Sequence, residues 1–184
     1  SSDSLEYGEI ARSYGAEFLY CPLENGHRDD DADILWVKHA LQGMEYNAFA
    51  ILRPTSPFRT VETIRRAWDT FLAEQPADSL RAVEKVKQHP GKMWVMRGNR
   101  LLPILPWLNL LVPWHSSPTQ TLPTIYVQNG SLEIAWVKTA LEQGTIAGTD
   151  IIPFLTKRME GYDINVKADF EEAERMIKEG ALWP

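Results

Sequence analysis

Cysteine is almost absent: Cys21 stands alone among 184 residues. One thiol closes no disulfide within a chain and supports no Cys-rich zinc site, so neither device organises this protein. A reducing, cytoplasmic setting is the expectation. Long apolar runs are missing too. No stretch approaches the ~18 apolar residues of a membrane-spanning helix, so no membrane partner is expected. The opening SSDSLEYGEI has no basic start and no apolar run; it reads as the interior of a domain rather than as a secretory leader. Positive charge is scarce: 19 Lys and Arg stand against 25 Asp and Glu, a net charge of −6. That balance argues against a nucleic-acid partner, whose affinity rests on neutralising many phosphates. It leaves room for a local cationic pocket and a small phosphorylated ligand.

What is present supports a core. The chain is 44% hydrophobic, ordinary for one globular domain. The spacing predicts a helix over 5–14, with Gly15 beyond its end, and a second over 34–44 with Ile34, Val37 and Leu41 on one face. Residues 17–21 and 46–52 read as strands. Val61, Ile64, Trp68 and Phe71 recur at helical spacing behind Thr60, a candidate N-cap. A strand is expected over 79–87, another after HPGKMW, and a turn at Gly98-Asn99. Residues 101–123, rich in Pro, Trp and Leu, read as an extended arm or loop. Residues 125–137 read as extended segments around a polar turn at Asn129-Gly130. Strands are expected over 149–155 and 162–166, and a closing helix over 169–179. The alternation of strand and helix in the first half predicts an α/β fold with a mostly parallel sheet. In such sheets ligands sit beyond the carboxyl ends of strands.

Five stretches carry chemistry, and each also has a plain structural reading. RPTSPFRT (residues 53–60) follows a predicted strand. Its prolines stiffen the loop, and Arg53 and Arg59 can grip a carboxylate or phosphate with paired N–H donors; the alternative is a capped connector with Arg59 in solvent. In VEKVKQHPGKMW (residues 83–94), Lys92 lies beside Trp94 and can be aimed inward as a carboxylate anchor, whereas Lys85 and Lys87 read as a solvated turn. In GYDINVKADF (residues 161–170), Asp163 and Asn165 lie two apart. On a strand that spacing puts both oxygens on one face, a set suited to Mg²⁺; the alternative is a polar lead-in to the helix. The acids at 29–33, Asp29 among them, suit the positive end of a helix or hold a cation. Gln128, Asn129 and Glu133 offer hydrogen-bonding groups to a polyhydroxylated ligand, or simply a polar turn.

Taken in order, SSDS, Tyr14-Gly15-Ala16, His39-Ala40-Leu41, RPTSPFRT, HPGKMW, YVQNGSLEIA and GYDINVKADF resemble the landmarks of the acylneuraminate (CMP-sialic acid synthetase-like) cytidylyltransferases across nearly the whole chain. The resemblance implies a Rossmann-like, three-layer α/β domain over 1–184 and a homodimer, with 101–123 as its arm. It implies transfer of CMP from CTP to a nonulosonic, sialic-acid-like sugar for cell-surface glycans, with release of pyrophosphate and with Mg²⁺ as cofactor. Carried over by position, Asp163 matches a metal-binding aspartate and Asn165 stands where many members have a second one. Lys92 matches a lysine near the sugar; with Arg53 it is a candidate catalytic residue. Asp29 matches an aspartate beside the nucleotide, and Cys21 stands near a nucleotide-contacting arginine of the family. Arg53 replaces a common glutamine and Glu133 a tyrosine at sugar-facing positions, so the acceptor expected is a relative of sialic acid, such as legionaminate. Some close relatives use GTP. The Gly-rich basic loop with which the family opens has no match here, so the 184 residues alone are not expected to bind CTP productively. Two alternatives stay open: a non-catalytic homologue that binds a sugar acid or a partner, and a GTP-using legionaminate-type enzyme. An octulosonate-type nucleotidyltransferase fits RPTSPFRT less well.

Overall fold

A computed structural model describes residues 1–20, 32–105 and 112–180. The positions of Cys21 and Asp29, and part of the proposed arm, lie outside the described residues. The chain divides into two units. The first comprises Ser1–Leu52, Ile64–Arg81 and Leu132–Pro153; the second comprises Arg53–Thr63, Ala82–Ser131 and Phe154–Pro184.

In the first unit, α1 (Leu5–Ser13) is capped by Ser4, whose hydroxyl accepts from Tyr7 N, and Gly15 follows with φ +88°. Only glycine takes that left-handed geometry without strain, so the helix stops there. The expected strand over 17–21 is reduced to one parallel bridge, Ser2 to Tyr20. Helix α2 (Asp33–Leu41) buries the face read from the sequence: Val37 and Leu41 join Ile51 and Ala140, with Ile34, Phe49 and Val137 packed around them. Asp78 anchors the return loop. Its carboxylate accepts from Thr149 N, Asp150 N and Gln143 Nε2, and these bonds hold its pKa down at about 2.

Strands β1 (Ala48–Ile51), β2 (Ser79–Lys85), β5 (Tyr126–Trp136) and β6 (Ile151–Leu155) form one sheet in the order β1-β5-β2-β6. Ala48 lies opposite Trp136 and Ile51 opposite Glu133, so β1 and β5 are antiparallel. Trp136 N donates to Asp78 O (3.3 Å) and Val86 N to Ile125 O (3.1 Å), which makes β5 antiparallel to β2 as well. Asp78 N donates to Asp150 O (2.8 Å) and Thr156 N to Val83 O (3.1 Å), so β6 runs parallel to β2. Three of four strands thus share a direction, and β5 is inserted against it. The α/β expectation holds, with a mixed sheet. Residues 125–137 do not turn at Asn129-Gly130 but run on as the longest described strand. Pro153 sits in β6, outermost in the sheet order, where a missing N–H costs no ladder bond.

Helix α3 (Val61–Ala73) starts at Thr60, whose Oγ1 accepts from Thr63 N at 3.1 Å, while Thr63 Oγ1 accepts from Thr60 N at 3.2 Å. Its buried stripe is Thr63, Ala67 and Phe71; Val61 and Trp68 are exposed. The observed stripe keeps Phe71 from the face read in the sequence and replaces Val61 and Trp68 by Thr63 and Ala67. In the second unit, β3 (Trp94–Arg97) and β4 (Arg100–Pro103) form a hairpin around Gly98-Asn99, with Gly98 at φ +59°. Helix α4 (Val137–Leu141) follows β5, and α5 (Lys167–Lys178) ends the described chain. No helix among the described residues is long and apolar enough to cross a membrane.

Candidate active site

The candidate site lies in the second unit, and the RPTSPFRT connector builds it. Ser56 N donates to Arg53 O at 3.2 Å and closes a turn. Thr55 O then accepts from Ile164 N at 2.9 Å. Phe58 is buried and meets the edge of Tyr162 at 5.5 Å between ring centres. Arg59 donates to Ser131 O at 2.6 Å, and its partial burial lowers its pKa. Arg59 is therefore half-buried and staples the connector to β5. These ties bring the start of the connector beside residues 162–164, more than a hundred positions later in the chain.

Gly130 marks the meeting point. A Cβ at this residue would lie 3.3 Å from Arg53 Cδ, 3.7 Å from Asp163 Oδ1 and 3.8 Å from Ser56 Oγ. The missing side chain leaves a cradle walled by a guanidinium stem, a carboxylate and a hydroxyl. Ser56 is 1% exposed, and its Oγ has no hydrogen-bond partner among the described residues. Buried hydroxyls are normally satisfied, so this one stands out as an unpartnered polar atom close to Gly130.

Gly130 and Asp163 also line a cleft of ≈ 450 Å³. Glu84, Gln128, Asn129, Gly130, Tyr162 and Asp163 line it, with Lys87 and Arg158 among the remaining walls. Asn129 is held rigidly: its Nδ2 donates to Thr156 Oγ1 at 2.9 Å and its Oδ1 accepts from Ser131 N at 3.3 Å. Gly161 lets Glu84, Asn129 and Thr156 close in, because a Cβ there would fall 2.4–2.9 Å from all three. Burial, then the charges of Asp169 and Glu172, raise the pKa of Tyr162, whose hydroxyl donates to Asp169 O at 2.8 Å.

The structure gathers some of the sequence candidates and separates others. Arg53, Asp163, Gln128 and Asn129 meet at the cradle and cleft. Lys92 is not among the cleft's lining residues; its ammonium donates to His115 O at 3.1 Å and also to Ser117 O. Glu133 is 3% exposed and pairs with Arg81 on the neighbouring strand at 2.6 Å, so its carboxylate is spent on a buried ion pair in the first unit. Asn165 is exposed and absent from the lining. The one-face argument for Asp163 and Asn165 required a strand, and residues 162–166 are not one. Asp169 Oδ2 accepts from Asn165 N (2.9 Å) and Val166 N (3.0 Å), which turns the chain into α5 instead. Among the described residues no group of three or more His, Cys, Asp or Glu side chains could hold a metal. Sequence reasoning missed Ser56, Glu84, Gly130, Gly161 and Tyr162. The Gly130 signal was available, since a glycine inside a strand marks a close approach, but it was masked by reading that stretch as a turn.

No protein-family model matches the chain. The N-acylneuraminate cytidylyltransferase of Escherichia coli is 29% identical over 174 residues, covering 94% of this chain and 40% of the enzyme, so the chain spans well under half of that relative. The CMP-N,N'-diacetyllegionaminic acid synthase of Legionella pneumophila is 27% identical over 188 residues, covering 97% of this chain and 76% of that protein. A flagellin modification protein of Campylobacter coli is 22% identical over 188 residues, covering 99% of this chain and 77% of that protein. A solved structure of CMP:2-keto-3-deoxy-manno-octonic acid synthetase with CTP shares the fold, with a TM-score of 0.66 over 97% of this chain and 79% of that one, at 9% identity. By sequence the chain is similar to CMP-sialic acid synthetase-like cytidylyltransferases, and it shares the α/β fold of that CTP-bound synthetase.

Proposed function

We propose that this chain supplies the acceptor-binding part of an enzyme that transfers CMP from CTP to a nonulosonic acid and releases pyrophosphate. The observation that carries the reading is the convergence of Arg53 and Asp163 at the Gly130 cradle, in a chain whose relatives are named for this chemistry. In nucleotidyl transfer, positioning and neutralisation of charge supply most of the rate. The Arg53 guanidinium can hold an acceptor carboxylate or a phosphate oxygen through paired donors. Asn129, fixed by Thr156 and Ser131, orients acceptor hydroxyls with no ordering cost of its own, and Gln128 offers a second amide. Lys92 enters the reading through the loop it ties down at His115 and Ser117, with its remaining N–H a candidate contact to the sugar.

Mg²⁺ fits this donor set in a limited way. It keeps several waters and takes one or two carboxylates plus substrate phosphate oxygens, and Asp163, next to Gly130 at the cleft, provides one carboxylate. When bound, the ion would neutralise charge on the triphosphate. Asp163 is its proposed ligand; Asn165, exposed, would reach it only through water.

The exposed apolar hairpin β3–β4, next to the expected arm, supports a homodimer as part of the same reading. A cytoplasmic location is part of the same reading. The test is pyrophosphate release, with CTP or GTP, MgCl₂ and either N-acetylneuraminate or legionaminate, by the chain joined to a Gly-rich basic loop of the family's kind, with the 184 residues alone as the control expected to be inactive. The expected result is release that requires both the nucleotide and the acid, and that falls at least ~100-fold in Asp163→Asn. Release that does not depend on the acid, or that is unchanged in Asp163→Asn, would sink the reading; preference for GTP would move it to the legionaminate-type alternative.

A further inference from the structure

A second cleft in the same unit, of ≈ 410 Å³, plays no part in the chemistry above. One wall is the end of β2 and the residues after it, with Lys85, Lys87 and His89; the other includes Thr119, Gln120 and Thr124. Leu122, Pro123 and Ile125 add an apolar strip. In a chain of net charge −6, two ammonium groups face this space and none of its lining residues is acidic. Lys85 ends β2 and Lys87 lies two residues further on; Lys85 lines this cleft alone, Glu84 the first cleft alone, and Lys87 both.

The cleft is built in advance. Val86 N donates to Ile125 O at 3.1 Å and joins the two walls at one end. His89 joins them at the other: its Nδ1 accepts from Gly91 N at 3.0 Å, so its Nε2 carries the proton and donates to Pro123 O at 3.1 Å. The ring is 93% buried by the edge of Trp114 and by Gly91, where a Cβ would come within 2.9 Å of both residues. His89 is therefore a strut of the floor rather than a ligand. Preformed walls remove much of the ordering cost of binding, and the volume lies in the range of small-molecule sites.

We propose that this cleft binds a small, hydroxyl-bearing oxyanion of monosaccharide size. Lys85 and Lys87 bind the charged end, Thr119, Thr124 and Gln120 the hydroxyls, and the apolar strip the carbon skeleton. The shared chemistry is the oxyanion, carried either by a phosphate ester or by a carboxylate. Lys87 also lines the first cleft, so the two clefts share one cation.

Isothermal titration calorimetry of the purified protein tests this with four titrants: inorganic phosphate, glucose 6-phosphate, N-acetylneuraminate and glucose. Saturable binding of glucose 6-phosphate or N-acetylneuraminate is expected, tighter than inorganic phosphate and far tighter than glucose. Lys85→Met, whose side chain lines only this cleft, is expected to weaken that binding about tenfold. Asp163→Asn, in the other cleft, is expected to leave it intact, which separates this proposal from the proposed catalysis. The tighter of the two anions identifies the source of the oxyanion. Should Lys85→Met fail to fold, Thr124→Val carries the same comparison with a smaller expected loss. No saturation by any anion at about 10 mM, equal binding of glucose, or affinities unmoved by either variant overturns the proposal.

Discussion

The connector at residues 53–60 and the hairpin at residues 94–103 belong to the same unit, yet they reverse the usual relation between composition and environment. The connector is mostly polar and carries two guanidinium groups. It is nevertheless tied in at every step: Thr55 to Ile164, Phe58 to Tyr162, Arg59 to Ser131 and Thr60 to Thr63. The hairpin is mostly apolar, yet Trp94, Val95, Met96, Leu101 and Leu102 are all exposed, Met96 by 73%. The hairpin satisfies only its own backbone, from the Trp94–Pro103 pair to the Arg97–Arg100 pair around a tight turn. The lesson is that burial follows whether a segment finds partners inside the chain, and not how apolar it is. A polar loop is drawn inward where its groups meet complements, as at the Ser56 N–H and Phe58, and an apolar ribbon stays exposed where little among the described residues covers it, here the contact of Trp94 with His115 at 4.7 Å.

Three substitutions can break or sharpen that contrast. Phe58→Ala removes the one large apolar anchor of the connector, and urea denaturation should show a loss of about 3–5 kcal/mol. Arg59→Met deletes the staple to Ser131 O but keeps the packing stem; a loss of about 1 kcal/mol is expected in the same assay, since one charge-assisted bond at a half-exposed site is at stake. Met96→Lys in the hairpin should move stability by less than about 0.5 kcal/mol, as surface changes do. If the hairpin is the proposed dimer surface, sedimentation should at the same time show a shift toward monomer. A Met96→Lys loss larger than that of Phe58→Ala would mean that the hairpin is packed and the contrast is false.

The two clefts extend the comparison to function. The first mixes signs, with Asp163 and Glu84 opposite Lys87 and Arg158, as a site for a charged substrate with a counter-ion would. The second is basic and polar without an acid. Both share Lys87, a residue that reads as a solvated turn cation in the sequence. Its neighbours in sequence give no hint that the chain passes between two cavities, because that depends on where residues 119–130 and 158–163 return.

Periodicity and local chemistry determined much by themselves. The α2 face of Ile34, Val37 and Leu41, the Thr60 cap, the Gly15 stop and the Gly98-Asn99 turn depend on interactions within a few residues, and each could be read from a few residues. The α/β class and the candidacy of Arg53, Asn129 and Asp163 were also legible, since the order of strand, cationic loop and helix is a property of the chain. Only the tertiary structure decided the rest. It inserted β5 against the direction of its neighbours, gave Glu133 to Arg81, tied Lys92 to two carbonyls, turned Asn165 out to solvent and made Gly130 the floor on which Arg53 and Asp163 meet. Each of these outcomes is a choice of partner across many tens of residues, and a carboxylate or an ammonium carries no local sign of which distant group will satisfy it.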